Sequence, residues 1–126
     1  MSAKRPLSPH LMIYRPQLTS MMSITHRLTG VALGLGSLFF VWWLVALAHG
    51  GTYYDFVRGI AEHALSRLVL LGFFVAVSYH LANGIRHLFW DFGIGLSLQG
   101  VYRGGYAVLC VAALATLGGI YMLFLG

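Results

Sequence analysis

Three stretches of this chain carry no formal charge: Leu28 to Tyr54, Leu68 to Ile85 and Gly104 to Gly126. Each is long enough to cross the hydrocarbon of a bilayer, which takes roughly 20 mostly apolar residues as a helix. A backbone in lipid must satisfy its own hydrogen bonds, so runs of this kind fold as helices. Of the 126 residues 59% are hydrophobic and 9% charged, whereas charged residues make up about 25% of a typical globular chain. The reading is an all-α membrane protein with one domain over 1–126. Transmembrane helices are predicted at 29–49, 65–89 and 104–125, after a cytoplasmic lead-in at 1–28 that holds a short interfacial segment between Thr19 and Ile24. Pro6, Pro9 and Pro16 argue against one long helix in the lead-in.

The formal net charge of +5 does not point to nucleic acid, because the basic residues flank the spans and form no patch. Lys4, Arg5, Arg15 and Arg27 precede the first span, and Arg86 and Arg103 bracket the second loop. Arg58 and Arg67 lie in the first loop with Asp55 and Glu62. Lys and Arg favour the cytoplasmic side, so the N-terminus and the second loop are expected there and the C-terminus on the far side. The residues after Met1 form neither a secretory signal nor an Arg-rich transit peptide, and with Met1 present a bacterial inner membrane is the expected location. Cys110, mid-span in the third helix, reads as core packing.

Small residues recur in the spans. Gly30 and Gly34 stand four apart in the first, a spacing that reads first as close approach of a helix backbone, although it also permits contact with a flat cofactor. Ala115 and Gly119 repeat the spacing in the third. Trp42 and Trp43 sit deep in the first span, where they read as bulk against a partner or lipid. No carboxylate relay, hydrolytic triad, zinc site or phosphate-binding loop is present.

The six histidines are not equivalent. His10 lies in the lead-in, and His49 and His63 flank the outer loop, where an imidazole is cheaply solvated. His26 adjoins Arg27 and His87 adjoins Arg86, each at the inner mouth of a span. His80 is different: six residues before Arg86, it lies roughly 9 Å deeper along the helix. An ionisable side chain at that depth needs a partner, either a neighbouring hydroxyl or a metal, and in a membrane helix the metal compound to expect is haem. Gly84, one turn on along the same face, would clear room for a porphyrin edge. Arg27, His26 and Arg86 gather at the depth where anionic haem carboxylates would emerge. No second mid-span histidine exists, so two-histidine ligation would need another polypeptide.

The blocks Arg5-Pro6-Leu7-Ser8-Pro9-His10-Leu11-Met12-Ile13-Tyr14, Ser23-Ile24-Thr25-His26-Arg27-Leu28-Thr29-Gly30 and His80 through Asp91 resemble, in order and spacing, the large cytochrome b anchor subunit of succinate dehydrogenase. The resemblance covers nearly the whole chain. It implies that His80 is one axial ligand (the metal-binding residue) of haem b, the other coming from a small membrane-anchor subunit. His26 and Arg27 would lie by the haem propionates, with His87 approaching one. Ser23 and Arg27 would line a ubiquinone pocket completed by an iron–sulfur subunit, and a flavoprotein subunit would oxidise succinate. Asp91 would shape the helix end or the docking surface. The chain would be non-catalytic alone. The alternatives are the anchor of a quinol:fumarate reductase, a structural anchor without haem, and an unrelated small transporter.

Overall fold

The computed structural model describes residues 10, 13 and 15–124, with side chains to residue 122. Apart from His10 and Ile13, the first signature block lies outside the described residues. Among the described residues every regular element is a helix: α1 (Leu18–His49), α2 (Gly51–Glu62), α3 (Ala64–Asp91) and α4 (Leu98–Phe124). Three of these, Leu18–His49, Ala64–Asp91 and Leu98–Met122, are long and apolar enough to span a membrane.

α1 is longer than the predicted first span because the segment around Thr19 to Ile24 is continuous with it. Its 32 residues make a rod of about 48 Å, against about 30 Å of hydrocarbon. The first turns therefore project past the membrane core, with Ser23 and Arg27 on them. α1 ends at Gly50 (φ 66°), and Gly51 (φ 56°) opens α2. Two consecutive left-handed residues turn the chain back without a longer loop.

α2 replaces the predicted outer loop. Tyr54, Val57 and Ala61 face inward, and Asp55, Arg58 and Glu62 face out. Tyr53, Phe56 and Ile60 form an exposed apolar stripe. These three faces suit a helix lying in an interface. Arg58 Nε donates to Glu62 Oε1 at 2.7 Å, and that bond with the Glu62 charge holds the guanidinium pKa above its ordinary value. Trp42 Nε1–H donates to the Tyr53 hydroxyl at 2.8 Å, so Trp42 ties α1 to α2 and is more than bulk. The helical periodicity of Tyr53, Phe56 and Ile60 was the signal for α2.

His63 caps α3, its Nδ1 accepting from the Leu65 amide at 3.3 Å. α4 begins six residues before the predicted third span, with Ser97 Oγ accepting from the Gly100 amide at 3.1 Å, an N-terminal cap. The second loop thus shrinks to residues 92–97.

α3 is the central helix, packed on both α1 and α4. Two phenylalanines fit glycine gaps. Phe73 lies against Gly36 of α1, where an added Cβ would come within 2.5 Å of the ring, and Phe74 lies against Gly119 of α4. Gly34 faces open space. Cys110 is exposed on α4, which corrects its reading as core packing within this chain. The small core of Met22, Tyr79, Val108 and Ala112 sits toward the end shared by the start of α1, the end of α3 and the start of α4. Arg15, Arg27, Arg86 and Arg103 all belong to that end, and Arg58 and Arg67 to the other.

Candidate functional site

The shared end holds a stack of three imidazoles. His26 of α1 lies between His80 and His87 of α3. Its ring centroid is 3.9 Å from that of His80, at an interplanar angle of 10°. From His87 it is 5.1 Å, at 21°. The spacing follows from helix geometry. Residues 80 and 87 are seven apart, two turns on one face, and leave a slot about 10.5 Å high. One flat ring from α1 fits into it.

Glycine makes the approach possible on both sides. A Cβ on Gly30 of α1 would come 3.1 Å from His80 Cε1, and one on Gly84 of α3 would come 4.0 Å from His26 Cε1. What lies over Gly84 is therefore the His26 ring, a correction to its reading as room for a porphyrin edge. Gly30, left between helix packing and cofactor contact by its spacing, seats the His80 ring.

The hydrogen bonds define the state of His80. Its Nδ1 lies 3.1 Å from the His26 carbonyl and 3.1 Å from Thr29 Oγ1. A carbonyl only accepts, so Nδ1 must carry the proton. The Thr29 hydroxyl spends its own hydrogen on the carbonyls of Thr25 and His26, both at 2.9 Å, and its oxygen accepts from His80. The lone pair of His80 is thus on Nε2, which has no hydrogen bond. An imidazole held at one nitrogen by a carbonyl and free at the other is arranged as a metal ligand is. His87 shows the same pattern, with Nδ1–H donating to the Asn83 carbonyl at 2.7 Å and its ring edge-on to Trp90 at 5.0 Å. His26 differs, because its Nδ1 is buried without a partner. Among the described residues no group of three or more His, Cys, Asp or Glu side chains is arranged to hold a metal ion by itself.

Ser23 and Arg27 stand one turn apart on an exposed face of α1, outside the imidazole stack and open to a neighbouring polypeptide. Asp91 is exposed at the end of α3. His49 and His63, expected to be peripheral, serve as helix-end residues: His49 Nδ1 donates to the Val45 carbonyl at 2.9 Å, and His63 caps α3.

Arg86 does not join Arg27 and His26, contrary to the sequence expectation. It is buried between α3 and α4, with Nη2 donating to the Val101 carbonyl at 2.8 Å and Nη1 to Asn83 Oδ1 at 3.3 Å. Its guanidinium carbon lies 4.1 Å over the Trp90 ring. Gly104 and Gly105 make room for it, since a Cβ on either would meet the guanidinium at 3.3 and 3.8 Å. Asn83, wholly buried, was not singled out in the sequence; a polar amide three residues before an arginine in an apolar run was its signal. A groove of about 580 Å³ runs between α1 and α4, lined by Met21, Thr25, Thr29, Tyr79, Ala112 and Thr116 among others.

Fold and site together define a class: a three-span helical membrane subunit with stacked imidazoles of α1 and α3 at one end. The chain belongs to the succinate dehydrogenase/fumarate reductase transmembrane subunit family, whose model matches residues 1–119. It is 44% identical over 114 residues to the succinate dehydrogenase cytochrome b556 subunit of Rickettsia typhi, covering 90% of this chain and 89% of the relative. To the cytochrome b560 subunit of Reclinomonas americana it is 39% identical over 122 residues, covering 93% and 85%. To the cytochrome b556 subunit of Paracoccus denitrificans it is 38% identical over 105 residues, covering 83% and 81%.

Proposed function

We propose that this chain is the large membrane anchor of a succinate:ubiquinone oxidoreductase. It co-ligates haem b through His80 and contributes Ser23 and Arg27 to the site where ubiquinone is reduced. The carrying observation is the setting of His80, whose Nδ1 lies 3.1 Å from both the His26 carbonyl and Thr29 Oγ1 while Nε2 has no hydrogen bond. The residues present fit the group: one ligand-ready nitrogen and an unsatisfied ring nitrogen on His26. Bound haem would supply a one-electron redox centre. A small anchor subunit would supply the other protein ligand. The stack keeps His80 oriented, and His26, Arg27 and His87 lie on the side where the haem carboxylates would be received.

Quinone reduction needs hydrogen-bond donors at the carbonyl oxygens and stabilisation of the negative charge that develops there. The Ser23 hydroxyl supplies a donor and the Arg27 guanidinium a fixed positive charge. Both project from the part of α1 that extends past the membrane core, within reach of an iron–sulfur subunit and, behind it, a flavoprotein. The anchor sits in a bacterial inner membrane with its N-terminus in the cytoplasm and its C-terminus in the periplasm.

A reduced-minus-oxidised spectrum of the purified complex tests the haem reading. Wild type is expected to give a b-type signal, and His80→Ala to lose it or shift both its spectrum and its midpoint potential. An unchanged spectrum and potential in His80→Ala would sink the ligand assignment. Arg27→Ala is expected to lower quinone reductase activity by about 100-fold, the scale of removing one preorganised donor to a developing charge, with succinate oxidation by an artificial acceptor intact. Wild-type quinone turnover in that variant would remove Arg27 from the site.

A further inference from the structure

Among the described residues Arg86 is a charge without a counter-charge. Its side chain is 6% exposed, and every partner it has is neutral: the Val101 carbonyl, the Asn83 amide, the Trp90 face and the Met22 sulfur. Its Nε has no partner. Among the described residues the one ion pair is Arg58–Glu62, at the opposite end of the molecule. The acid nearest in sequence, Asp91, is exposed beyond Trp90. Arginine keeps its proton even when buried, so the +1 charge is permanent and little screened by water. Its surroundings lead back to the site, because Trp90 touches His87, which stacks on His26, which stacks on His80.

We propose that the uncompensated charge of the Asn83–Arg86 pair sets the redox potential of the haem held at His80, favouring its reduced form. This rests on the haem reading above. Arg86 touches neither ligand nor substrate and acts through its field. Residues 80 and 86 are separated by roughly 9 Å along the helix axis. A unit charge on the order of 10 Å away, at an effective dielectric constant of about 20, changes a one-electron equilibrium about tenfold. A positive charge stabilises the state with the extra electron, so the potential rises.

The test is a spectroelectrochemical titration of haem b in the assembled complex, with the haem-to-flavin ratio measured in parallel. Arg86→Met is expected to lower the reduced-to-oxidised ratio about tenfold at the wild-type midpoint, a shift of about 59 mV for one electron. Arg86→Lys, which keeps the charge and loses the forked hydrogen bonds, is expected to stay near wild type. If Arg86→Met fails to assemble, Asn83→Asp replaces it: nearly isosteric, it neutralises the pair and is expected to shift the potential the same way. A wild-type potential in Arg86→Met or Asn83→Asp with haem bound overturns the inference, as do equal shifts in Arg86→Met and Arg86→Lys. Absence of haem from the wild-type complex instead overturns the haem reading on which it stands.

Discussion

At the scale of single residues, the site depends on a glycine facing an imidazole from each helix. Gly30 is the more demanding partner, since a Cβ there already presses on His80 Cε1 at 3.1 Å. The branched side chain in Gly30→Val would drive the His80 ring out of its slot and away from the His26 carbonyl and Thr29. Overpacking of this kind costs about 1–3 kcal/mol. Gly30→Val is expected to reduce the haem-to-flavin ratio of the complex while native gels still show assembly. Much of this site was legible from residue types: a histidine one turn and a half above Arg86 stands out in an apolar run, and Gly84 on its face hinted at a close approach. Which object made that approach was not legible. The partner of Gly84 is a ring from α1, 58 residues away in the chain (Gly84 to His26), and spacing within α3 carries no information about it. The side on which Arg86 lies was hidden for the same reason, because the acceptor that captures it belongs to α4.

At the scale of elements, the spans were readable because hydropathy and helix length are coupled by the thickness of lipid. Their ends were less so. The first turns of α1 and α4 are polar enough to resemble loops, and caps at Ser97 and His63 decide where the helices begin. α2 escaped because twelve residues with three differently composed faces give no long apolar run. Packing between spans relies on Phe73 and Phe74 filling glycine gaps on opposite neighbours. Gly119→Ala is expected to destabilise the complex by about 1–3 kcal/mol through collision with the Phe74 ring. Gly118→Ala, one residue away and facing open space, is expected to change stability by less than about 0.5 kcal/mol. Thermal unfolding of the two variants in detergent makes the comparison, and equal losses would contradict the packing described here.

At the scale of the whole molecule, charge is sorted between the two ends. Arg15, Arg27, Arg86 and Arg103 share the end with the imidazole stack; Arg58 and Arg67 share the other with Asp55 and Glu62. The Lys and Arg bias is the ground for the orientation proposed above. With Cys110 replaced by Ser, Arg58→Cys is expected to react with a membrane-impermeant maleimide in intact spheroplasts. Arg103→Cys is expected to react only after the membrane is opened. The reverse pattern would invert the topology and move the quinone site to the other face.

So little of this chain is buried that it cannot be at rest alone. Among the described residues seven apolar side chains and two polar ones are buried, while many large apolar ones on all three spans, Leu38, Phe39, Leu81 and Leu114 among them, face outward. An orphan copy therefore advertises its own incompleteness to the proteases that police membranes. Cells should hold its abundance to that of its companions by destroying the surplus.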